Sequence, residues 1–275
     1  MLSFSLVRQS LTSPQSTGYG PLLLPEFIQI HVSKAYLSPR TRSSNYFIAG
    51  RTGAHSHVSI HSTAQPPANP PPANPNSNKG TSLTPLERSF LQSLLENLPS
   101  STAFTLPTVA SYDRVRDGIW SCGTYACWGE DNKEVAVRLA GPPGSHHFEV
   151  RTIDGTANPH IALATVLGLG LIGVQKGLEL KIEAVLDGPA GLLSAEERMK
   201  CGIVGRLPDT LSAARDAARK DTTMSDVLGQ EFVEKYLIVN EVRDHEAALH
   251  AFTRLTIDRR WKSIWRVAVL SETRS

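Results

Sequence analysis

Leu86, Phe90, Leu91, Leu94, Leu95 and Leu98 recur at the spacing of one helix face. Just ahead stands Thr84-Pro85-Leu86-Glu87, a capping box with proline at the first helical position. Together they predict a helix over 85–98. Val135-Ala-Val-Arg-Leu139 and Phe148-Glu-Val-Arg-Thr152 alternate apolar and polar groups, the pattern of half-buried strands. Asn158-Pro159 opens an apolar helix to about Lys176, with Gly177 as its stop. Ser194-Ala-Glu-Glu197 caps a short helix, Thr210 to Lys220 reads as another, and Glu231 to about Thr256 as a long final one. His55-Ser-His57-Val-Ser59-Ile-His61 has the period of a strand, with His55, His57, Ser59 and His61 on one face and Val58 and Ile60 on the other. Strands and helices mix without a βαβ repeat, so the expected class is α+β.

The remaining chain lacks such grammar. Residues 25–48 hold scattered apolar groups with no clear period, and Met1 to Leu24 contain no acid and one arginine. That is a faint trace of an organelle leader without the arginine density of one, and an irregular N-terminal segment over 1–48 is the expectation. Six prolines fall between Pro66 and Pro75, which excludes helix or central strand and marks 65–80 as an exposed loop or linker. The longest apolar run, Ile161 to Val174, has 14 residues and three glycines. It is shorter than the roughly 18–20 residues of a membrane span and reads as a core helix.

Composition narrows the partners. The 275 residues are 40% hydrophobic and 20% charged, enough for a sizeable core. A formal net charge of +2 points to no nucleic-acid groove. Cys122, Cys127 and Cys201 match no disulfide framework, metal site or redox motif, and a reducing, cytoplasmic setting without a membrane partner is expected.

Four groups of residues carry candidate chemistry. His55 and His57, at i and i+2 on one strand face, are able to ligate a metal or touch phosphate oxygens; equally, they suit a polar sheet face. A zinc hydrolase built on His55, His57 and His61 lacks any motif supplying a general base. Arg114, Lys133, Arg138 and Arg151 are cations on separate elements, suited to carboxylate or phosphate, and their convergence is not written in their spacing. Glu149 and Arg151 share one strand face opposite Phe148 and Val150, so they form a structural ion pair or hold a ligand. Asp154 to Pro159 runs into a helix N-terminus, where plain capping by Asn158 competes with anion binding.

Read in order, several segments resemble the C-terminal catalytic domain of glutamine synthetases, nearest to the fungal synthetase-like branch of the bacterial-type class. They are Gly53-Ala-His-Ser-His-Val-Ser-Ile60, Phe104-Thr-Leu-Pro-Thr-Val-Ala-Ser-Tyr-Asp-Arg114 with Gly118-Ile-Trp120 and Tyr125-Ala-Cys-Trp-Gly129, Asp131-Asn-Lys-Glu-Val-Ala-Val-Arg138, and His147 to Pro159. The likeness runs from about Gly53 to Leu255. It implies a partial synthetase catalytic domain over 49–260, an antiparallel sheet with flanking helices, followed by a divergent tail over 261–275. It implies an ATP-dependent ligase that phosphorylates the side-chain carboxylate of glutamate and lets ammonia or another amine attack the γ-glutamyl phosphate, with Mg²⁺ or Mn²⁺ neutralising the phosphates. By the same resemblance His55 and Glu149 match metal ligands. His57, Ser59 and Lys133 match nucleotide-side positions, Arg114 and Arg151 match substrate-carboxylate arginines, and Arg138 matches a phosphate-facing, catalytic arginine.

The sequence also departs from that pattern. Only Glu26 precedes His55, where the family places several metal-binding glutamates, and no counterpart of its small β-grasp domain is present. Gly50-Arg51 stands for an Asn-Gly pair, Lys133 for an arginine, His147 for a basic nucleotide-contacting residue, and Trp120 for the glutamate that helps deprotonate ammonium in bacterial members. Two expectations follow: a ligase completed by other subunits or a complementing chain, or an inactive synthetase-like fragment serving as an oligomerisation or interaction module. In both, unpaired strand edges and uncovered apolar surface drive self-association into a homo-oligomer. Sedimentation velocity checks this, and a clean monomer contradicts it.

Overall fold

The computed structural model describes residues 2–4, 28–36, 53–62, 83–142 and 145–246; side chains are described from residue 55 onward, except those of 61 and 62. The Pro-rich loop over 65–80, the side chain of His61, most of 1–48 and the tail over 261–275 lie outside what is described.

Among the described residues six strands form one sheet: β1 (Leu2–Phe4), β2 (Ile28–Tyr36), β3 (Gly53–Ser62), β4 (Trp128–Glu130), β5 (Val137–Ala140) and β6 (His147–Asp154). Their spatial order is β1-β2-β3-β6-β5-β4. All neighbours are antiparallel except β4 and β5, which run parallel, so the expected antiparallel sheet is mixed at one edge. The parallel pair arises because the chain between Glu130 and Val137 returns across the strand end instead of folding into a hairpin. Asp131, at φ 50°, donates its N–H to Leu139 O at 3.0 Å to turn that corner.

β2 corrects the reading of 25–48 as patternless. Ile28, Ile30 and Val32 alternate with Gln29, His31 and Ser33. The strand pairs with β3 over nine residues, Ile28 opposite Ser62 through Tyr36 opposite Ala54. Beyond Val32 the sequence turns to Ser33-Lys34, and the alternation is too short to stand out from its surroundings.

The helices lie on one face. α1 (Pro85–Glu96) starts at the expected capping box: Thr84 Oγ1 accepts from Glu87 N–H at 3.3 Å, and Glu87 Oε2 from Thr84 N–H at 2.7 Å. It stops two residues short of expectation, and α2 (Leu98–Thr105) follows at once. Pro99 fits the first turn of α2, where no intrahelical donor is lost. α2 has no amphipathic pattern because its buried polar groups are hydroxyls that bond their own backbone, Ser101 to Leu98 O and Thr102 to Pro99 O, each at 2.7 Å.

α3 (Pro159–Lys176) runs as expected from Asn158, whose side chain accepts from His160 N–H at 3.0 Å, to Gly177 in the left-handed region at φ 58°. It is long and apolar enough to meet the length-and-composition test for a membrane span. Its small residues nonetheless take α1 as partner: Ser93 Oγ donates to Leu169 O at 2.6 Å, and the Gly170 position lies against the Phe90 ring. Phe90 in turn stacks on Phe148 of β6, centroids 5.9 Å apart. Val58, Phe148 and Val150 therefore face the helices, and the alternate residues of β3 and β6 face away.

α4 (Ala195–Lys200), α5 (Leu211–Lys220) and α6 (Thr222–Leu228) complete this unit, the first two where the caps predicted them. A separate unit begins at Glu231. It is helical through residue 246, within the long final helix expected from the sequence; the remainder to Thr256 lies outside the described residues.

The α1–α3 contact yields a stability test. A Cβ at Gly173 would stand 2.1 Å from Ser89 O and 2.5 Å from Ser93 Cβ. Overpacking of this kind costs about 1–3 kcal/mol, which outweighs the roughly 1 kcal/mol of helix propensity gained. Gly173→Ala therefore lowers the urea midpoint; a midpoint at or above the parent's refutes the packing.

Candidate functional site

The face turned away from the helices carries the chemistry. Cross-strand register sets His57 of β3 opposite Glu149 of β6, and Glu149 opposite Arg138 of β5. Side chains at one register position share a face, so imidazole, carboxylate and guanidinium form one row across three strands. A register shift between Ala54 and Ser56 re-aims the end of β3. His55 Nε2 lies 3.4 Å from Glu149 Oε1. Arg151, two residues along β6, donates from Nη1 to the same oxygen at 2.5 Å, and Arg138 Nη2 contacts Oε2. His57 extends the group sideways, its ring centroid 4.9 Å from those of both His55 and His147. Ser59 continues the same face of β3, half-buried.

Glu149 is 1% exposed. Burial pushes its carboxyl upward, but Arg151, His55, Arg138 and His57 together outweigh burial and hold it below its ordinary value. The imidazoles respond oppositely. Burial lowers His57 to about 4 against the pull of Glu149, with His55, His147 and Arg138 adding to the fall. Burial also lowers His55 and His147, helped by the nearby arginines. At neutral pH the row thus holds one carboxylate, two guanidiniums and neutral imidazoles.

The other sequence candidates take different places. Arg114 is buried and donates from Nη1 to Ile153 O at 2.6 Å and from Nη2 to Arg151 O at 3.4 Å, bracing the backbone of β6. Lys133 stands in the loop before β5, its Nζ 6.0 Å from the centroid of Trp120. Arg151 reaches past Glu149: Nε donates to Ser121 O at 2.6 Å and Nη2 to Trp120 O at 2.8 Å. Glu134, which sequence reasoning missed, accepts from Trp120 N–H at 2.5 Å and Gly118 N–H at 2.9 Å. No local signal marks it, because its partners lie 14 and 16 residues away across a loop. Asn158 is spent on capping α3, the plainer of its two readings. Cys122 and Cys127 pack in the core; burial raises both thiols, Cys127 to about 12, which makes them inert.

His55, His57 and Glu149 present one ligand atom each within 4.8 Å of one another. They do not by themselves fit a hard divalent ion. Mg²⁺ demands several oxygen ligands. Among the described residues the cluster supplies one carboxylate, and each of its oxygens faces a guanidinium. Arg138 Nε, in contrast, is buried and has no hydrogen-bond acceptor among the described residues, which leaves the row a donor for an anion.

Helices pack on one face of the mixed sheet and this row occupies the other. Residues 45–259 match the family model of the glutamine synthetase catalytic domain, and the chain belongs to that family. It is 34% identical over 219 residues to protein fluG of Emericella nidulans, covering 79% of this chain and 22% of that protein. It is 33% identical over 162 residues to gamma-glutamylpolyamine synthetase GlnA3 of Streptomyces coelicolor, covering 57% and 34%. A crystal structure of a glutamine synthase homolog superposes with a TM-score of 0.53 at 30% identity, over 72% of this chain and 42% of that one. The chain thus spans about a fifth to a third of these curated relatives.

The depressed histidines set a pH dependence. Their folded values lie below the unfolded 6.5, so the unfolded chain takes up protons first. Their contribution to stability is whole above about pH 6.5 and is lost as pH falls from there toward 4. Glu149 adds its own loss only below its ordinary range. The urea midpoint falls between pH 7.5 and pH 5, and His57→Gln shrinks that fall; equal midpoints at both pH values contradict the buried, neutral row.

Proposed function

We propose that this chain supplies the sheet side of an ATP-dependent ligase that joins the side-chain carboxylate of glutamate to ammonia or another amine through a γ-glutamyl phosphate. The carrying observation is the row His57–Glu149–Arg138, with a buried, unused Arg138 donor, in a chain that belongs to the glutamine synthetase catalytic-domain family. Transfer of a phosphoryl group needs fixed positive charge where negative charge develops. Arg138 offers Nε to a phosphoryl oxygen while Glu149 holds its other end. Arg151 keeps Glu149 ionised and oriented, and Arg114 fixes the backbone of β6 beneath both. His57, Ser59 and Lys133 lie on the nucleotide side, and Arg114 and Arg151 on the substrate side. ATP and Mg²⁺ or Mn²⁺ are the cofactors of this reading, in a cytoplasmic homo-oligomer or a complex with a complementing chain. His55 and Glu149 become metal ligands only when further carboxylates are brought to them.

The capture of Glu149 by two guanidiniums favours a second reading: a synthetase-like module without catalysis, serving assembly. γ-Glutamyl hydroxamate formation from glutamate, ATP and hydroxylamine with Mg²⁺ or Mn²⁺ separates the two. The ligase reading expects product. It expects Arg138→Gln and Glu149→Ala each to lower the rate about 100-fold or more. Glu149→Ala also deprives the buried Arg151 and the half-buried Arg138 of their carboxylate, at a cost of about 3 kcal/mol, so circular dichroism must accompany it. A folded parent chain without product returns the function to the assembly reading.

A further inference from the structure

Two buried side chains grip the Gly118–Ser121 loop from different sides. Glu134 takes its N–H groups, one oxygen accepting from Gly118 at 2.9 Å and the other from Trp120 at 2.5 Å. Arg151 takes its carbonyls, Nη2 donating to Trp120 O at 2.8 Å and Nε to Ser121 O at 2.6 Å. Glu134 is itself held by Asn132, whose Oδ1 accepts from Glu134 N–H at 2.8 Å and whose amide nitrogen donates to Val185 O at 3.0 Å and Gly188 O at 2.9 Å. Asp117 ties the loop's two ends, Oδ1 accepting from Thr124 N–H at 3.1 Å and Oδ2 from Thr124 Oγ1 at 2.8 Å. Burying a carboxylate and an amide is costly, and the core gains little from what they hold. Trp120 is 75% exposed, and its φ of 55° puts a bulky aromatic in the left-handed region. Strain that the surroundings over-determine points to use of the strained segment.

What the loop backbone positions is the Arg151 guanidinium. Two of its nitrogens bond the loop and the third bonds Glu149 Oε1 at 2.5 Å. β6 fixes only the backbone end of this long side chain. The planar head takes its orientation from the Trp120 and Ser121 carbonyls, and those stand where Glu134 holds the peptide groups around them. We propose that Glu134 is a positioning residue for Arg151: it locks the Gly118–Ser121 backbone so that the two carbonyls aim the guanidinium at Glu149 and at the carboxylate of an amino-acid substrate. The inference rests on the ligase reading for that substrate, and on the loop geometry for the aiming. The role calls for a carboxylate because both acceptor atoms are in use. The isosteric amide accepts with one atom and turns its NH₂ group on the other N–H.

The test is the rate at which the Arg151 Nε–H exchanges with water, read by heteronuclear NMR on the whole chain and assigned by its loss in Arg151→Lys. Glu134→Gln is expected to speed that exchange about tenfold, while the amides of α1 and α3 keep their protection. Glu134→Asp keeps both acceptor atoms on a shorter stem and is expected to fall between the two; it carries the test if the Gln variant misfolds. Unchanged Arg151 exchange in a folded variant overturns the proposal. So does acceleration shared equally by α1 and α3, or a chain that folds with neither substitution, since both make Glu134 a prop of the whole fold. The hydroxamate assay adds a separate readout: Glu134→Gln raises KM for glutamate about tenfold, more than it lowers kcat. A fall in kcat at unchanged KM overturns the aim at a substrate carboxylate. Arg151 exchange that depends on Glu134 in a parent chain without product leaves the positioning standing and removes the ligase reading.

Discussion

A carboxylate taken almost wholly out of water dominates the functional face of this protein. Glu149 sits near the middle of the sheet with 1% of its surface exposed. An isolated buried charge of that kind costs several kcal/mol, so partners for it had to be built into the neighbouring strands. β5 supplies Arg138, β6 supplies Arg151, and β3 supplies His55 and His57. Because Glu149 satisfies Arg138 at only one end, the guanidinium keeps a buried donor in reserve. Because Arg151 is too long to stop at Glu149, its remaining nitrogens grip the Trp120–Ser121 backbone. The position of one loop and the charge balance of the row thus both follow from neutralising one side chain.

The sheet makes this possible by dividing its labour between faces. Val58, Phe148 and Val150 are consumed by the helices, with Phe148 stacked on Phe90 and α3 pressed close to α1 through glycine and serine positions. Strand periodicity then leaves every second residue free for polar work. Residues on strands inherit the precision of the backbone ladder, which loops do not offer. Arg114 reinforces this by bonding two carbonyls of β6.

Family membership and completeness of the site are different matters. The match over residues 45–259 establishes the family. The electrostatics of the row, with two guanidiniums against one carboxylate, suit an anion such as a phosphoryl group better than a bare divalent cation. Further acidic groups would reverse that balance, and the chain covers only 22% and 34% of the two curated relatives compared.

Local physics was written in the sequence. The Thr84–Glu87 box, the Asn158 and Gly177 caps, and the period of two around Glu149 are decided by neighbours a few residues apart, and each stands where the sequence put it. Even the shared face of Glu149 and Arg151 was legible, because a strand's alternation is local. Register between strands was not. His57, Glu149 and Arg138 meet across chain separations that no spacing rule spans, and the parallel β4–β5 pair depends on how the 131–136 turn folds back. α2 escaped notice because its hydroxyls bond their own helix and leave no hydrophobic stripe. Glu134, and the backbone contacts of Arg114 and Arg151, were hidden because a long polar side chain chooses its partner by which backbone groups the fold leaves unsatisfied nearby. Only the tertiary structure decides that.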